Sequence, residues 1–150
     1  MMDHVLGVVL VGAALLSGCA VKSGAQNRPD SLSGTSWTLV AFRQTTGNAA
    51  EILPTRPDQY SLSFQPDGRL VAQVDCNQGS GTWQATPLES GGSLHLGPIA
   101  LTRMMCPPDP LGQRLPQDVE ALQSYRIVNG QLQLNLAGNA GSYIWTRAQP

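Results

Sequence analysis

The segment Tyr60-Ser61-Leu62-Ser63-Phe64-Gln65-Pro66-Asp67-Gly68-Arg69-Leu70-Val71-Ala72-Gln73-Val74 carries the clearest structural pattern in this chain. Apolar and polar residues alternate over Tyr60–Phe64, which places Tyr60, Leu62 and Phe64 on one face of a strand. Pro66-Asp67-Gly68 has turn chemistry, because proline presets φ and glycine accepts a positive φ. Leu70–Val74 then returns as the partner strand. We therefore predict a β-hairpin over residues 60–75.

Further strand patterns lie on both sides of this hairpin. Asn129-Gly130 suits a type I′ turn, so Tyr125–Val128 and Gln131–Leu136 are predicted to form a second hairpin. Shorter runs rich in apolar, aromatic or β-branched residues predict strands at 36–42, 81–86, 93–96, 99–102 and 141–146.

One helix is predicted, from about Pro116 to Ser124. Proline fits the first helical position, and Asp118 and Glu120 favour the positive end of the helix dipole. The apolar residues that share one helical face are Leu115, Val119 and Leu122. The expected fold is α+β and β-rich: a curved antiparallel sheet or open barrel with one packed helix.

The composition favours a single domain without a nucleic-acid footprint. The chain has 150 residues, and its 9 Lys and Arg nearly balance its 10 Asp and Glu. This balance argues against a nucleic-acid partner and against a polybasic membrane patch. The 16 Gly and 11 Pro indicate many turns.

The N-terminus has the pattern of a bacterial lipoprotein signal. An uncharged apolar run, Val5–Leu16, leads into Leu16-Ser17-Gly18-Cys19. Small residues before the cysteine suit the signal peptidase, and the thiol of Cys19 is the group that takes the lipid. We expect a signal peptide over residues 1–18, a lipidated N-terminus and flexible tether over 19–33, and one domain over 34–147.

Two other interpretations of the apolar run are an uncleaved membrane anchor and a buried core helix. Twelve helical residues span about 18 Å, short of the roughly 30 Å hydrocarbon core of a bilayer. The polar sequence that follows argues against a core helix. With Ala20 rather than Asp after the cysteine, the sequence points to a lipid anchor in the outer membrane, facing the periplasm.

Cys76 and Cys106 remain once Cys19 is lipidated. In an oxidising compartment they are expected to form a disulfide, which would stabilise the fold by about 3–4 kcal/mol on the chain-entropy model. Two buried free thiols are the alternative. A zinc site is not expected, because His95 is the one histidine after the signal peptide and no CxxC pair is present.

Three ordered clusters give this chain a family resemblance. Residues 32–39 read LSGTSWTL, residues 75–83 read DCNQGSGTW, and residues 101–107 read LTRMMCP. Together they resemble the META domain family, which includes the HslJ-like heat-shock lipoproteins. The resemblance covers about Leu32 to Trp145. The residues that match the family pattern are Leu32, Gly34, Trp37, Leu39, Cys76, Asn77, Gly81, Trp83, Thr102, Met104 or Met105, Cys106, Glu120 and Leu122.

The sequence departs from the family pattern at two places. Asp75 occupies a position where the pattern has Gly, and Pro107–Leu115 is a proline-rich insertion. The matched residues have a structural interpretation first: Trp37 and Trp83 as core residues, Asn77 as a partner for backbone groups, and Met104 and Met105 as gap fillers. The other interpretation is that they line a groove for a ligand or partner.

No enzymatic activity and no cofactor are expected. The sequence lacks a G-x-S-x-G elbow, a Walker loop and an H-E-x-x-H motif. The flanking leucines place His95 on the exposed face of a short strand. The sequence leaves open a catalytic pair of carboxylates formed by residues that come together in the fold. The candidates are Asp67, Asp75, Asp109 and Glu120, of which Asp67 and Asp109 have ordinary turn contexts.

The resemblance implies a function in general terms. HslJ-like proteins are associated with heat stress and novobiocin tolerance, and their fold is similar to that of a lipid-binding secretin pilotin. We expect a non-catalytic envelope lipoprotein that binds a hydrophobic ligand or an envelope protein. The alternatives are a periplasmic inhibitor of lysozyme-type enzymes and, third, a weak hydrolase.

Overall fold

The computed structural model describes residues 31–149, so the predicted signal peptide, Cys19 and most of the predicted tether lie outside the described residues. Within this part of the chain, ten strands form one sheet. They are β1 (Thr35–Gln44), β2 (Glu51–Ile52), β3 (Tyr60–Phe64), β4 (Arg69–Val74), β5 (Asn77–Leu88), β6 (Gly91–Leu96), β7 (Ala100–Leu101), β8 (Leu122–Val128), β9 (Gln131–Leu136) and β10 (Gly141–Arg147).

Eight of these strands close into an antiparallel barrel, in the order β1-β3-β4-β5-β6-β8-β9-β10. Closure occurs at β1, which pairs with β3 on one edge and with β10 on the other. The expected β-rich, antiparallel fold is confirmed, but the barrel is closed where the sequence predicted a curved sheet or open barrel. Two short strands add to the barrel edges: β2 pairs with the end of β1, and β7 pairs with β5.

The alternating patterns predict the inner face of the barrel correctly. Tyr60, Leu62 and Phe64 of β3 point inward, and the turn after them contains Gly68 at φ 84°. The second hairpin also forms as predicted, with Asn129 and Gly130 both at positive φ. The interior is filled mainly by large side chains, including Trp37, Trp145, Tyr125, Tyr143, Phe42, Leu132 and Leu134.

The helix differs from its prediction at both ends. Helix α1 covers Arg114–Asp118, a 3-10 turn follows over Val119–Ala121, and Leu122 is already extended at the start of β8. Pro116 is the third residue of α1, where its missing N–H costs no intrahelical hydrogen bond. Leu115, Val119 and Leu122 are buried together. These three residues pack on the same part of the core, but they belong to α1, the 3-10 turn and β8 rather than to one helix.

The N-terminal part of the described chain is packed against the barrel. Leu32, which belongs to the predicted tether, is buried in the core. The next residues form a tight connection, in which Gly34 has φ 72° and donates its N–H to the Phe64 carbonyl at 2.7 Å. Residues 31–149 contain no helix long and apolar enough to cross a membrane.

Candidate ligand-binding cleft

One end of the barrel carries a cleft of about 720 Å³, which we call the disulfide cleft. Its walls come from the end of β4, the start of β5, β7 and the segment that leads to α1. The volume is in the range of small-molecule sites in proteins. The lining residues are Val74, Asp75, Asn77, Leu101, Met104, Met105, Cys106, Pro107, Pro108, Asp109, Pro110, Gly112 and Gln113.

Cys76 and Cys106 form the predicted disulfide, with their Cα atoms 5.6 Å apart. This bond fastens the segment after β7 to the beginning of β5. The Cys106 sulfur also accepts hydrogen bonds from the Cys76 backbone N–H at 3.3 Å and from Asn77 Nδ2 at 3.2 Å. One wall of the cleft is therefore covalently fixed to the barrel.

Asn77 holds the same wall by its side-chain amide. Its Oδ1 accepts hydrogen bonds from the Met104 backbone N–H at 2.7 Å and from Thr102 Oγ1 at 2.9 Å. Its Nδ2 donates to the Met104 carbonyl at 3.3 Å. Thr102 Oγ1 accepts the N–H of Gln78 at 3.1 Å. The structure thus brings three family-pattern residues together in one network.

Met104 and Met105 do not fill gaps in the core, contrary to our expectation from the sequence. Met104 is 60% exposed and Met105 is 99% exposed. The reason is that the Met104 backbone is hydrogen-bonded to Asn77 and the next residue but one, Cys106, is fixed by the disulfide, which holds this segment at the barrel surface. The cleft therefore has an apolar, flexible and solvent-accessible rim.

Asp75 lines the cleft and has a left-handed conformation, with φ 56°. Aspartate tolerates this region better than most residues, which explains how it replaces the glycine of the family pattern. Its side chain is only 6% exposed. Oδ1 accepts a hydrogen bond from Gln59 Nε2 at 2.8 Å and lies 3.6 Å from a guanidinium nitrogen of Arg56.

Asp109 connects the proline-rich insertion to the barrel. Its Oδ1 accepts the Tyr60 hydroxyl at 2.5 Å and the Leu111 N–H at 2.9 Å. Its Oδ2 accepts the backbone N–H and the hydroxyl of Thr55, at 2.8 and 2.6 Å. Burial raises the pKa of Asp109, but the hydrogen bonds from Thr55, Tyr60 and Leu111 outweigh it, and the net pKa is lowered. Burial, followed by the bond to Asp109, raises the pKa of Tyr60.

This cluster around Asp109 was not found from the sequence. The sequence predicts an ordinary turn residue at Asp109, and no sequence pattern distinguishes Thr55 or Gln59. The hydroxyl of Tyr60 and the carboxylate of Asp109 are 49 positions apart in the chain. The proline-rich insertion was the one sequence signal that pointed here. Of the four carboxylates considered, Asp75 and Asp109 line the cleft, whereas Asp67 and Glu120 do not.

Gly81 permits close packing of the chain between β6 and β7. A Cβ atom added at Gly81 would lie 2.8 Å from the Pro98 carbonyl oxygen, and one at Gly79 would collide with the Ala100 carbonyl. β5 therefore contains two glycines in its interior, where the backbone of residues 97–101 runs close beside it. This close approach fixes the position of β7, from which the chain continues to Met104.

The two matched tryptophans are packed against the barrel rather than exposed in the cleft. Trp37 is fully buried, and its Nε1 donates to Thr35 Oγ1 at 2.7 Å. Trp83 is partly buried, stacks edge-on against Phe64 at 5.3 Å between ring centroids, and donates Nε1–H to the Gln65 carbonyl. His95 is exposed on β6, as its flanking leucines predict. Among residues 31–149, no group of three or more His, Cys, Asp or Glu side chains is arranged to hold a metal ion.

Comparison with known families identifies the domain. The family model described as META domain matches residues 30–149. The chain belongs to the META domain family. The META domain thus covers the whole barrel and every residue that lines the disulfide cleft, in agreement with the resemblance of the three sequence clusters.

A solved structure shows the same fold as this META domain. It is the crystal structure of a DUF4847 family protein from Bacteroides vulgatus, with a TM-score of 0.55 and 15% sequence identity. The match covers 78% of this chain and 94% of that protein. At this identity the likeness concerns the fold alone. No curated protein matches the sequence significantly.

Proposed function

We propose that this chain is a lipid-anchored protein of the bacterial cell envelope whose META domain binds a ligand in the disulfide cleft, without catalysis. One observation carries the binding proposal: Met104 and Met105 are held at the rim of the cleft with their apolar side chains in solvent. Exposed apolar side chains beside a preformed cleft are typical of ligand-binding surfaces.

The disulfide supports a location outside the cytoplasm. Disulfides form and persist in the periplasm and on cell surfaces but are rare in the cytosol. The Leu16-Ser17-Gly18-Cys19 motif supports a lipid anchor at Cys19, and Ala20 supports the outer membrane. The association of HslJ-like proteins with heat stress and novobiocin tolerance supports a role under envelope stress.

The chemistry of the cleft favours binding over catalysis. Two carboxylates line it, but a general acid needs a pKa raised toward neutrality. The hydrogen bonds to Asp109 lower its pKa instead. The lining residues within the described part of the chain include no His, Ser or Lys that would serve as a base or nucleophile.

Membrane fractionation tests the anchor. We expect Cys19→Ser to remove acylation and signal-peptide cleavage, so that the full-length precursor accumulates, whereas the nearby control Ser23→Ala leaves a processed, acylated protein in the outer membrane. In an enteric host, Ala20→Asp is expected to move the protein to the inner membrane. Normal cleavage and acylation of the Cys19→Ser variant would contradict the lipid anchor.

Complementation tests the role of the cleft. In a strain without this protein, wild type is expected to restore growth on novobiocin, and the double variant Met104→Gln/Met105→Gln is not. The matched control is Leu88→Gln, which replaces an apolar residue 71% exposed that lies outside the cleft. Full complementation by the double methionine variant, at equal protein level, would refute a function of this rim.

A further inference from the structure

One oxygen of the Asp75 carboxylate has no hydrogen-bond partner among residues 31–149. Oδ1 is engaged by Gln59 and Arg56, whereas Oδ2 accepts no hydrogen bond from any residue of the described chain. Oδ2 is not a fully buried atom and keeps contact with solvent, so a cationic donor that replaces this water forms a charge-assisted hydrogen bond with it. Because Asp75 lines the disulfide cleft, a ligand in the cleft can supply the missing donor.

Gly112 leaves the approach to this oxygen open. A Cβ atom added at Gly112 would lie 3.4 Å from Asp75 Oδ2 and 3.6 Å from the Tyr60 hydroxyl. The space beside Oδ2 is therefore free because position 112 has no side chain. The positive charge closest to Asp75 is Arg56, which sits on the Oδ1 side, and its side chain is 57% exposed.

The rest of the cleft complements a ligand that is cationic at one end and apolar along its body. No Lys or Arg is among the lining residues in the described part of the chain, and the Asp109 carboxylate adds a second negative charge. The remaining wall is dominated by apolar side chains: Val74, Leu101, Met104, Met105, Pro107, Pro108 and Pro110.

We propose that the disulfide cleft binds small cationic amphiphiles, whose ammonium or guanidinium group donates to Asp75 Oδ2 while the apolar body lies against the methionine and proline rim. A cleft of about 720 Å³ suits a ligand of this size. This inference rests on the proposed function and specifies its ligand class.

Titration with matched probes tests this proposal. Octylammonium, octanol and octanoate share one alkyl chain and differ in head-group charge. Each is added to the full chain with its disulfide intact, below the micelle-forming concentration, and binding is followed through the methyl NMR signals of Met104 and Met105. We expect octylammonium to bind at least about tenfold more tightly than octanol, since charge-assisted hydrogen bonds are stronger than neutral ones, and octanoate to bind most weakly.

Two variants separate the carboxylate from the apolar rim. Asp75→Asn keeps an oxygen that accepts from Gln59, and asparagine tolerates the positive φ, so we expect the fold to be retained. Because the variant removes the negative charge, the preference for octylammonium is expected to be lost. Asp67→Asn is the control, because it removes one negative charge from a turn outside the cleft. Gly112→Ala keeps the charge but fills the space beside Oδ2, and is expected to weaken octylammonium about tenfold.

The outcomes distinguish this inference from the proposed function. Equal binding of octylammonium and octanol, unchanged by Asp75→Asn, would overturn the cationic preference while leaving a binding cleft in place. If no probe shifts the Met104 and Met105 signals, the amphiphile class is refuted, and the complementation result for the methionine variant decides the proposed function independently.

Discussion

Asn77 and Met104 are joined by two hydrogen bonds that imitate the pairing of adjacent strands. The Asn77 side chain accepts the Met104 N–H at 2.7 Å and donates to the Met104 carbonyl at 3.3 Å. A side-chain amide thus replaces a backbone partner where β7 has ended. This contact, together with the disulfide, sets the position of the cleft rim.

Replacement of Asn77 by Ala is expected to loosen this rim. The variant removes the partner of the Met104 N–H and carbonyl, which are exposed enough for water to replace it, and we expect a loss of about 0.5–1.5 kcal/mol in the free energy of unfolding. Limited proteolysis should then cut within residues 102–110 faster than it does in wild type. Urea unfolding and peptide mapping measure the two effects. The control Asn48→Ala, at an exposed loop position, should change neither.

Gly81→Ala is expected to push β5 away from Gly97 and Pro98, whose backbone lies against it. The added methyl group would lie 2.8 Å from the Pro98 carbonyl oxygen, a distance that forces the backbone to shift. We expect a destabilisation of about 1–3 kcal/mol, as for other overpacked sites. Ser80→Ala, at the exposed neighbouring position, should lie within about 0.5 kcal/mol of wild type. Equal stabilities for the two variants would show that the contact between Gly81 and Pro98 is not tight.

The contribution of Asp109 should depend on pH in a defined direction. Its pKa is lowered in the folded state, so its charged form stabilises the fold above the unfolded pKa of about 3.9. This stabilisation is lost as the pH falls through the folded-state pKa. We expect Asp109→Asn to cost about 1–3 kcal/mol at pH 7 and progressively less as the pH falls below the unfolded pKa, so that the cost is smaller at pH 3. Denaturant unfolding at both pH values measures this, and a difference that stays constant or grows toward pH 3 would be inconsistent with the network.

The two buried tryptophans Trp37 and Trp145 should respond differently to the same substitution. Both are fully buried, but Trp37 donates Nε1–H to Thr35, whereas Trp145 Nε1 has no hydrogen-bond partner among residues 31–149. Trp37→Phe removes a hydrogen bond and leaves the Thr35 hydroxyl without its donor. Trp145→Phe removes an N–H group that makes no hydrogen bond to residues 31–149. We expect Trp37→Phe to be more destabilising by about 1 kcal/mol. Thermal and urea unfolding of both variants provide the comparison, and the reverse order would contradict it.

Local sequence patterns predict the strands and hairpins, but they do not predict which distant strands pair. Tyr60–Phe64 and Gln131–Leu136 alternate cleanly, so their strand bounds match the structure. The closure of the barrel depends on the pairing of β1 with β10, about a hundred residues away in the chain, which no local pattern specifies. One short helix forms as expected, but it ends at Asp118 rather than Ser124, because Val119 and Leu122 have helical spacing in a segment that turns into a strand.

The site was predicted in part for the same reason. Cys76, Cys106, Asn77 and Thr102 were singled out by their family pattern, and the structure places them in one network. The exposure of Met105 and the bond between Tyr60 and Asp109 depend on how the insertion folds back on the barrel. Contacts of this kind have no periodicity in the sequence.

The account depends most on export and anchoring, and native, non-reducing mass spectrometry of the protein extracted from bacterial membranes tests both at once. The account predicts the mass of acylated residues 19–150, lighter by the two hydrogens lost in the Cys76–Cys106 disulfide. A further bound species of small mass would identify the ligand of the cleft. An unmodified, full-length mass with free thiols would contradict the lipid anchor, the oxidising compartment and the envelope function together.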